Sequence, residues 1–158
     1  MTTIKQSQYR TRGGLEVRRS SAVDNYSDAM GRLASQLDDH RGLLLSSSYE
    51  YPGRYTRWDI GFVNPPLQLT ANNRDVRIEA LNRRGEILLP AVFHGLKGQA
   101  DLLSMAHDAR TITLELRKTE GGFAEEQRSR QPSVFSVLRS LIELFGSECD
   151  AYLGLYGA

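Results

Sequence analysis

Apolar and polar positions begin to alternate at Leu15-Glu16-Val17, after a polar stretch from Met1 to Gly14 that has no period and ends in a glycine pair. The first 14 residues are expected to form a flexible arm, with one folded domain over 15–158. Tyr26, Met30, Leu33 and Leu37 recur at intervals of four, three and four, which places them on one face of a helix. Asp24 or Asn25 suits the N-cap of that helix, and Gly42 suits a left-handed residue after its end.

The period then changes to two. Leu43 to Ser47 reads as a buried strand, Pro52-Gly53 as a tight turn, and Trp58, Ile60 and Phe62 alternate with Asp59 and Gly61. Alternation returns at Leu67 to Thr70 and, past an Asn72-Asn73 turn, at Val76, Ile78 and Ala80. Asn82-Arg83-Arg84-Gly85 has the composition of a further hairpin turn leading into a strand over Glu86 to Leu89. Pro90 to His107 is weakly helical, since Gly95 and Gly98 each cost about 1 kcal/mol against alanine in a helix interior. Thr111 to Leu116 alternates cleanly. From Pro132-Ser133 onward, Val134, Leu138, Leu141, Ile142 and Phe145 mark the strongest helix. The closing Ala151 to Ala158 reads as a strand entering a core with no turn or polar tail after it, the pattern of a chain cut short. Short strands joined by turns and mixed with helices predict an α+β fold, a mainly antiparallel sheet packed by helices.

Composition narrows the classes. A chain of 158 residues is long enough for one domain with a core of its own. Its single cysteine, Cys149, has no internal disulfide partner, and no secretion signal opens the chain, so a cytoplasmic protein is expected. No apolar run approaches the roughly 20 residues of a membrane-spanning helix. Twenty basic against nineteen acidic residues leave a net charge of +1, without the basic excess that a nucleic-acid backbone attracts.

Catalytic patterns are sparse. His40, His94 and His107 are isolated, and none has metal-ligand spacing with Cys, Asp or Glu. Gly13-Gly14 and Gly121-Gly122 lack the lysine and serine of a phosphate loop. Glu125 and Glu126 are adjacent, so on a helix they would point apart. Glu148 and Asp150 surround Cys149 with negative charge that disfavours a thiolate. The exception is Leu43 to Phe62. There Tyr49, Tyr51, Tyr55 and Trp58 offer flat faces, Arg54 and Arg57 forked donors, and Ser46 to Ser48 hydroxyls at a strand end. Such a set binds an aromatic zwitterion or stacks on bases. Equally, it packs as an ordinary strand and loop with Trp58 in the core and Arg57 paired to Asp59 at the surface.

The run Ser47-Ser48-Tyr49-Glu50-Tyr51-Pro52-Gly53-Arg54-Tyr55-Thr56-Arg57-Trp58-Asp59 and the closing Gly154-Leu155-Tyr156-Gly157-Ala158 resemble the N-terminal part of the anthranilate synthase component I family. The match is nearest to bacterial forms fused to their glutamine amidotransferase. Val76 to Ala80 with Gly85 to Leu89, and Pro132 to Phe135, extend the resemblance over residues 10–158 in the family's order. It implies a part of an enzyme that converts chorismate and glutamine-derived ammonia to anthranilate and pyruvate with Mg²⁺, in tryptophan synthesis. It also implies that the chorismate and magnesium sites lie in a further, C-terminal portion, and that partners are that portion and a glutamine amidotransferase domain.

The same resemblance implies half of a tryptophan feedback site. The family's Leu-Leu-Glu-Ser strand falls on Leu44-Leu45-Ser46-Ser47, so Ser47 matches the serine that contacts tryptophan and Ser46 stands where the family has glutamate. Leu45, Ser46 and Ser47 are the candidate contacts, with Tyr49, Tyr51 and Arg54 as a pocket cover and no catalytic or metal-binding residue in this chain. Two other readings stay open at this point: a stand-alone small-molecule or single-stranded nucleic-acid binding module, and the equivalent part of a sibling chorismate-aminating enzyme.

Overall fold

The computed structural model describes residues 4–23, 26–46, 59–118 and 132–150. In chain order they form β1 (Ile4–Arg10), β2 (Glu16–Ala22), α1 (Tyr26–Leu37), β3 (Gly42–Ser46), β4 (Asp59–Val63), β5 (Leu67–Asn72), β6 (Asp75–Ala80), α2 (Arg83–Leu96), β7 (Leu102–His107), β8 (Thr111–Leu116) and α3 (Val134–Phe145). The fold is α+β, with antiparallel pairing in β3–β4 and throughout a four-stranded sheet ordered β5-β6-β8-β7. β1 and β2 pair as a separate two-stranded sheet.

The chain divides into two compact units, one built around Arg19–Pro65 and the other from Gln8–Arg18 with Pro66–Leu155. The second unit has two layers. Apolar side chains alternate along β6 and β8, so Val76, Ile78 and Ala80 share a face with Ile112, Leu114 and Leu116. Onto that face α2 brings Leu89, Val92 and Leu96, and α3 brings Val137, Leu141 and Leu144. The opposite face is polar, with Arg77, Thr113 and Ser104 exposed around an open depression of about 520 Å³. Asn73, with φ of 55°, makes the tight β5–β6 turn that its left-handed conformation requires.

Asn82 to Gly85 is the start of α2 and not a hairpin turn. The Asn82 side chain caps the helix, accepting from Arg84 N at 3.0 Å and Gly85 N at 3.2 Å. Gly85 is small because the helix start crowds the chain before β5: a Cβ there would lie 2.0 Å from the Pro66 carbonyl oxygen. The segment from Pro90 to His107 is not one helix. α2 ends at Leu96, Gly98 turns the chain with φ of 82°, and β7 pairs along β8.

Residues 4–10, expected as part of a loose arm, form β1, because pairing with β2 satisfies their backbone groups although their side chains are nearly all exposed. The turn of this hairpin is anchored on the end of α3. Arg12 N donates to the Gly146 carbonyl at 2.7 Å, the Tyr9 hydroxyl donates to the buried Asp150 carboxylate, and a Cβ on Gly13 would meet Leu144 backbone.

α1 matches its expected span, although its N-cap candidates Asp24 and Asn25 lie outside the described residues. Gly42 does not close the helix in a left-handed conformation; it opens β3. α3 begins after Ser133 as expected, with Ser133 N donating to Ser136 Oγ at 3.3 Å. The strand expected over Ala151 to Ala158 and the Glu125-Glu126 run lie outside the described residues.

Candidate functional site

The candidate site begins at the end of β3. Its ladder with β4 sets Leu43 opposite Phe62, Leu44 opposite Gly61, Leu45 opposite Ile60 and Ser46 opposite Asp59. Because side chains alternate, Leu43, Leu45, Ile60 and Phe62 share one face, and Gly42, Leu44, Ser46, Asp59, Gly61 and Val63 share the other. α1 lies on the glycine-bearing face. A Cβ on Gly61 would sit 2.1 Å from Leu33 Cδ2, and one on Gly42 would sit 2.5 Å from Leu37 Cδ2, so the two glycines let the helix approach the hairpin closely. Asn64, at φ of 52°, closes the hairpin base by donating to the Arg41 carbonyl at 2.8 Å.

This geometry separates two candidate contacts. Ser46 stands on the α1 side beside Asp59, while Leu45 stands on the opposite side, 40% exposed. A ligand on one surface of the hairpin therefore meets one of these side chains and not the other. Ser47, Tyr49, Tyr51 and Arg54 lie outside the described residues, as do Tyr55, Arg57 and Trp58. β3 is not the buried strand expected from its three leucines: Leu43 and Leu44 are half-buried and Leu45 and Ser46 exposed, since among the described residues the hairpin has two strands and a helix on one face.

Asp59 is the residue that sequence reasoning undervalued. The sequence expects it in an exposed pair with Arg57, which lies outside the described residues; its Oδ1 is buried. The signal lay in the register, because a hairpin that matches the two strand patterns end to end places Asp59 directly across from Ser46. A carboxylate beside a hydroxyl at a strand end is suited to hold an ammonium group.

Elsewhere the polar side chains serve the fold. The His107 ring lies against Phe93 with centroids 4.2 Å apart, and Phe93 also meets His94 edge-on at 6.0 Å. Cys149 is exposed, with its backbone N–H on Ser147 Oγ. Among the described residues, no three His, Cys, Asp or Glu side chains gather where a metal ion would be held. No helix among them is long and apolar enough to cross a membrane.

Fold and site together define an α+β scaffold with a small polar corner at one strand end. Comparison gives that scaffold a relative. The chain is 46% identical over 156 residues to the anthranilate synthase of Azospirillum brasilense, a match covering 98% of this chain and 21% of that protein. This bears out the resemblance read from the residues, and the chain spans about a fifth of the length of the curated relative it matches. No family model and no solved structure matches the chain.

Proposed function

We propose that this chain is the regulatory and scaffold part of an anthranilate synthase, acting in the cytoplasm in tryptophan synthesis. In such an enzyme chorismate and glutamine-derived ammonia become anthranilate and pyruvate, and the catalytic step belongs to a further chorismate-binding portion served by a glutamine amidotransferase domain. The observation that carries this reading is 46% identity sustained over nearly the whole chain. By the resemblance, Mg²⁺ belongs with that further portion.

The regulatory half of the proposal rests on the end of β3. Tryptophan is a zwitterion with a flat apolar ring, so its site needs an acceptor for the ammonium, donors for the carboxylate and an apolar wall. Ser46 supplies a hydroxyl on the Asp59 side of the hairpin, so the ligand there meets it and not Leu45, while by the resemblance Ser47 supplies a second hydroxyl and Tyr49, Tyr51 and Arg54 a cover with ring faces and a guanidinium. Where the family carries glutamate, this chain has Ser46, and Asp59 across the ladder supplies the missing negative charge. Feedback follows if tryptophan binds the inactive arrangement better than the active one, because a ligand shifts an equilibrium only by its differential affinity.

The test is Ser47→Ala in the full-length protein. Losing one hydrogen bond to a charged ligand group is worth about 1.5–3 kcal/mol, so inhibition by tryptophan should weaken by about tenfold or more with turnover of chorismate intact. Asp59→Asn should weaken it in the same sense. Unchanged inhibition in both variants would remove the site from β3.

A further inference from the structure

The second unit is assembled from two stretches that are remote in sequence, Gln8–Arg18 and Pro66–Leu155. The first is the tip half of the β1–β2 hairpin, and it meets the second at the end of α3. Arg12 N donates to the Gly146 carbonyl at 2.7 Å, the Tyr9 hydroxyl donates to the Asp150 carboxylate, and Arg12 Nη1 lies 3.4 Å from Glu143 Oε1. Gly13 lies against the Leu144 backbone, and Leu15 packs at the margin of the core. Along the rest of this stretch Gln8, Arg10, Glu16 and Arg18 are exposed and Val17 is half-buried. The bonds on either side of the seam are independent of it. Within the tip, Thr11 N donates to the Leu15 carbonyl at 2.9 Å, Leu15 N to Thr11 Oγ1 at 3.0 Å and Gly14 N to the Thr11 carbonyl at 2.9 Å. α3 closes its own end, with Gly146 N donating to the Ile142 carbonyl at 2.7 Å.

We infer that residues 8–18 are a strap fastened to the end of α3, which comes away as one piece while the four-stranded sheet and its two helices stay folded. Parting breaks the bonds across the seam and leaves those on either side in place, so it costs less than unfolding the unit. A two-stranded ribbon with nothing to pack on is marginally stable in water, so the order of the strap depends on its fastening. The sheet does not depend on it in turn, because Val76, Ile78, Ile112 and Leu116 are enclosed by α2 and α3. Release uncovers Leu144 at one end of the core and the buried carboxylate of Asp150, and gives the unit a second state in which the end of α3 is free. The inference stands independently of the function proposed above.

The experiment is native-state hydrogen exchange on the 158-residue chain in low urea, with trypsin cleavage after Arg10 and Arg12 beside it. In the unsubstituted chain the amides of residues 8–18 should open more often than those of β6 and β8, and their exchange should depend less steeply on urea, the mark of an opening that exposes only part of the unit. Equal rates and equal urea dependence in the two regions overturn the inference without any substitution. Two variants then address the fastening. Gly13→Ala places a Cβ 2.6 Å from the Leu144 carbonyl oxygen, so the tip cannot seat, whereas the Gly13 backbone is not left-handed and the tip itself accepts alanine. Tyr9→Phe removes the bond to Asp150 and leaves the ring. Each should quicken exchange and cleavage in residues 8–18 by about tenfold or more, with β6 and β8 unchanged. Quickening in both regions alike would make the hairpin part of the cooperative core, and no quickening in either variant would mean that the seam on α3 does not hold it. Either overturns the inference.

Discussion

The two units of this chain are built from similar elements and differ in how much they bury. In the second, a four-stranded sheet and two helices enclose Ile78, Leu96, Ile112 and Leu116 almost completely. In the first, the β3–β4 hairpin and α1, with the ends of β1 and β2, leave every described apolar side chain half-buried or exposed. A lone hairpin with a helix on one face has no inner layer, whereas a sheet of four strands has two central ones, β6 and β8, flanked on both sides. The proposed ligand corner lies in the less buried unit. Elements that must respond to a ligand are drawn from the low-stability end of a structure, since opening them costs little.

The difference can be broken most forcefully from the second unit. Ile112→Ala removes a fully buried side chain from the central strand β8 and should cost about 2–5 kcal/mol, measured by urea unfolding. A cost under 1 kcal/mol would mean that this sheet is not the stabilising core. Gly61→Ala sharpens the comparison from the other side. Its Cβ would land on the flexible end of Leu33, which must swing away, for a loss of about 1–3 kcal/mol. Hydrogen exchange should then quicken over β3 and β4 and stay unchanged in β6 and β8; quickening in both would make the two units one cooperative structure. The smallest effect is expected at the Arg12–Glu143 ion pair, 3.4 Å apart with both side chains largely exposed. Glu143→Ala should change stability by no more than about 0.5 kcal/mol, a loss that shrinks as salt is added, because such pairs are screened. A larger loss would assign the hairpin anchor on α3 to this pair rather than to the Arg12 backbone and Gly13.

Much of the second unit was legible from periodicity alone. β5, β6, β8 and α3 alternate or repeat strongly enough that burial on one face follows directly from the residues. α2 was not, because its first turn carries Asn and Gly for reasons that a turn shares: Asn82 as a cap, and Gly85 where the chain before β5 comes within contact distance. Local composition is the same in both cases, and only the crowding differs. β7 was hidden for a related reason, since Leu102 to His107 has little alternation of its own and becomes a strand by pairing with β8. In the proposed site the resemblance pointed to Leu45, Ser46 and Ser47, but the separation of Leu45 from Ser46 and the arrival of Asp59 depend on register.

By itself, then, the sequence determined the helical and alternating faces, the α+β class and the kinship with anthranilate synthase, all of which are properties of residue order. The tertiary structure decided which of two similar patterns was a turn and which a helix start, which acidic residue stands beside Ser46, and which apolar side chains of α3 meet the core. Those outcomes turn on distances between residues far apart in the chain, where a Cβ 2.0 Å from a carbonyl oxygen or a carboxylate across a ladder rung leaves no trace in local periodicity.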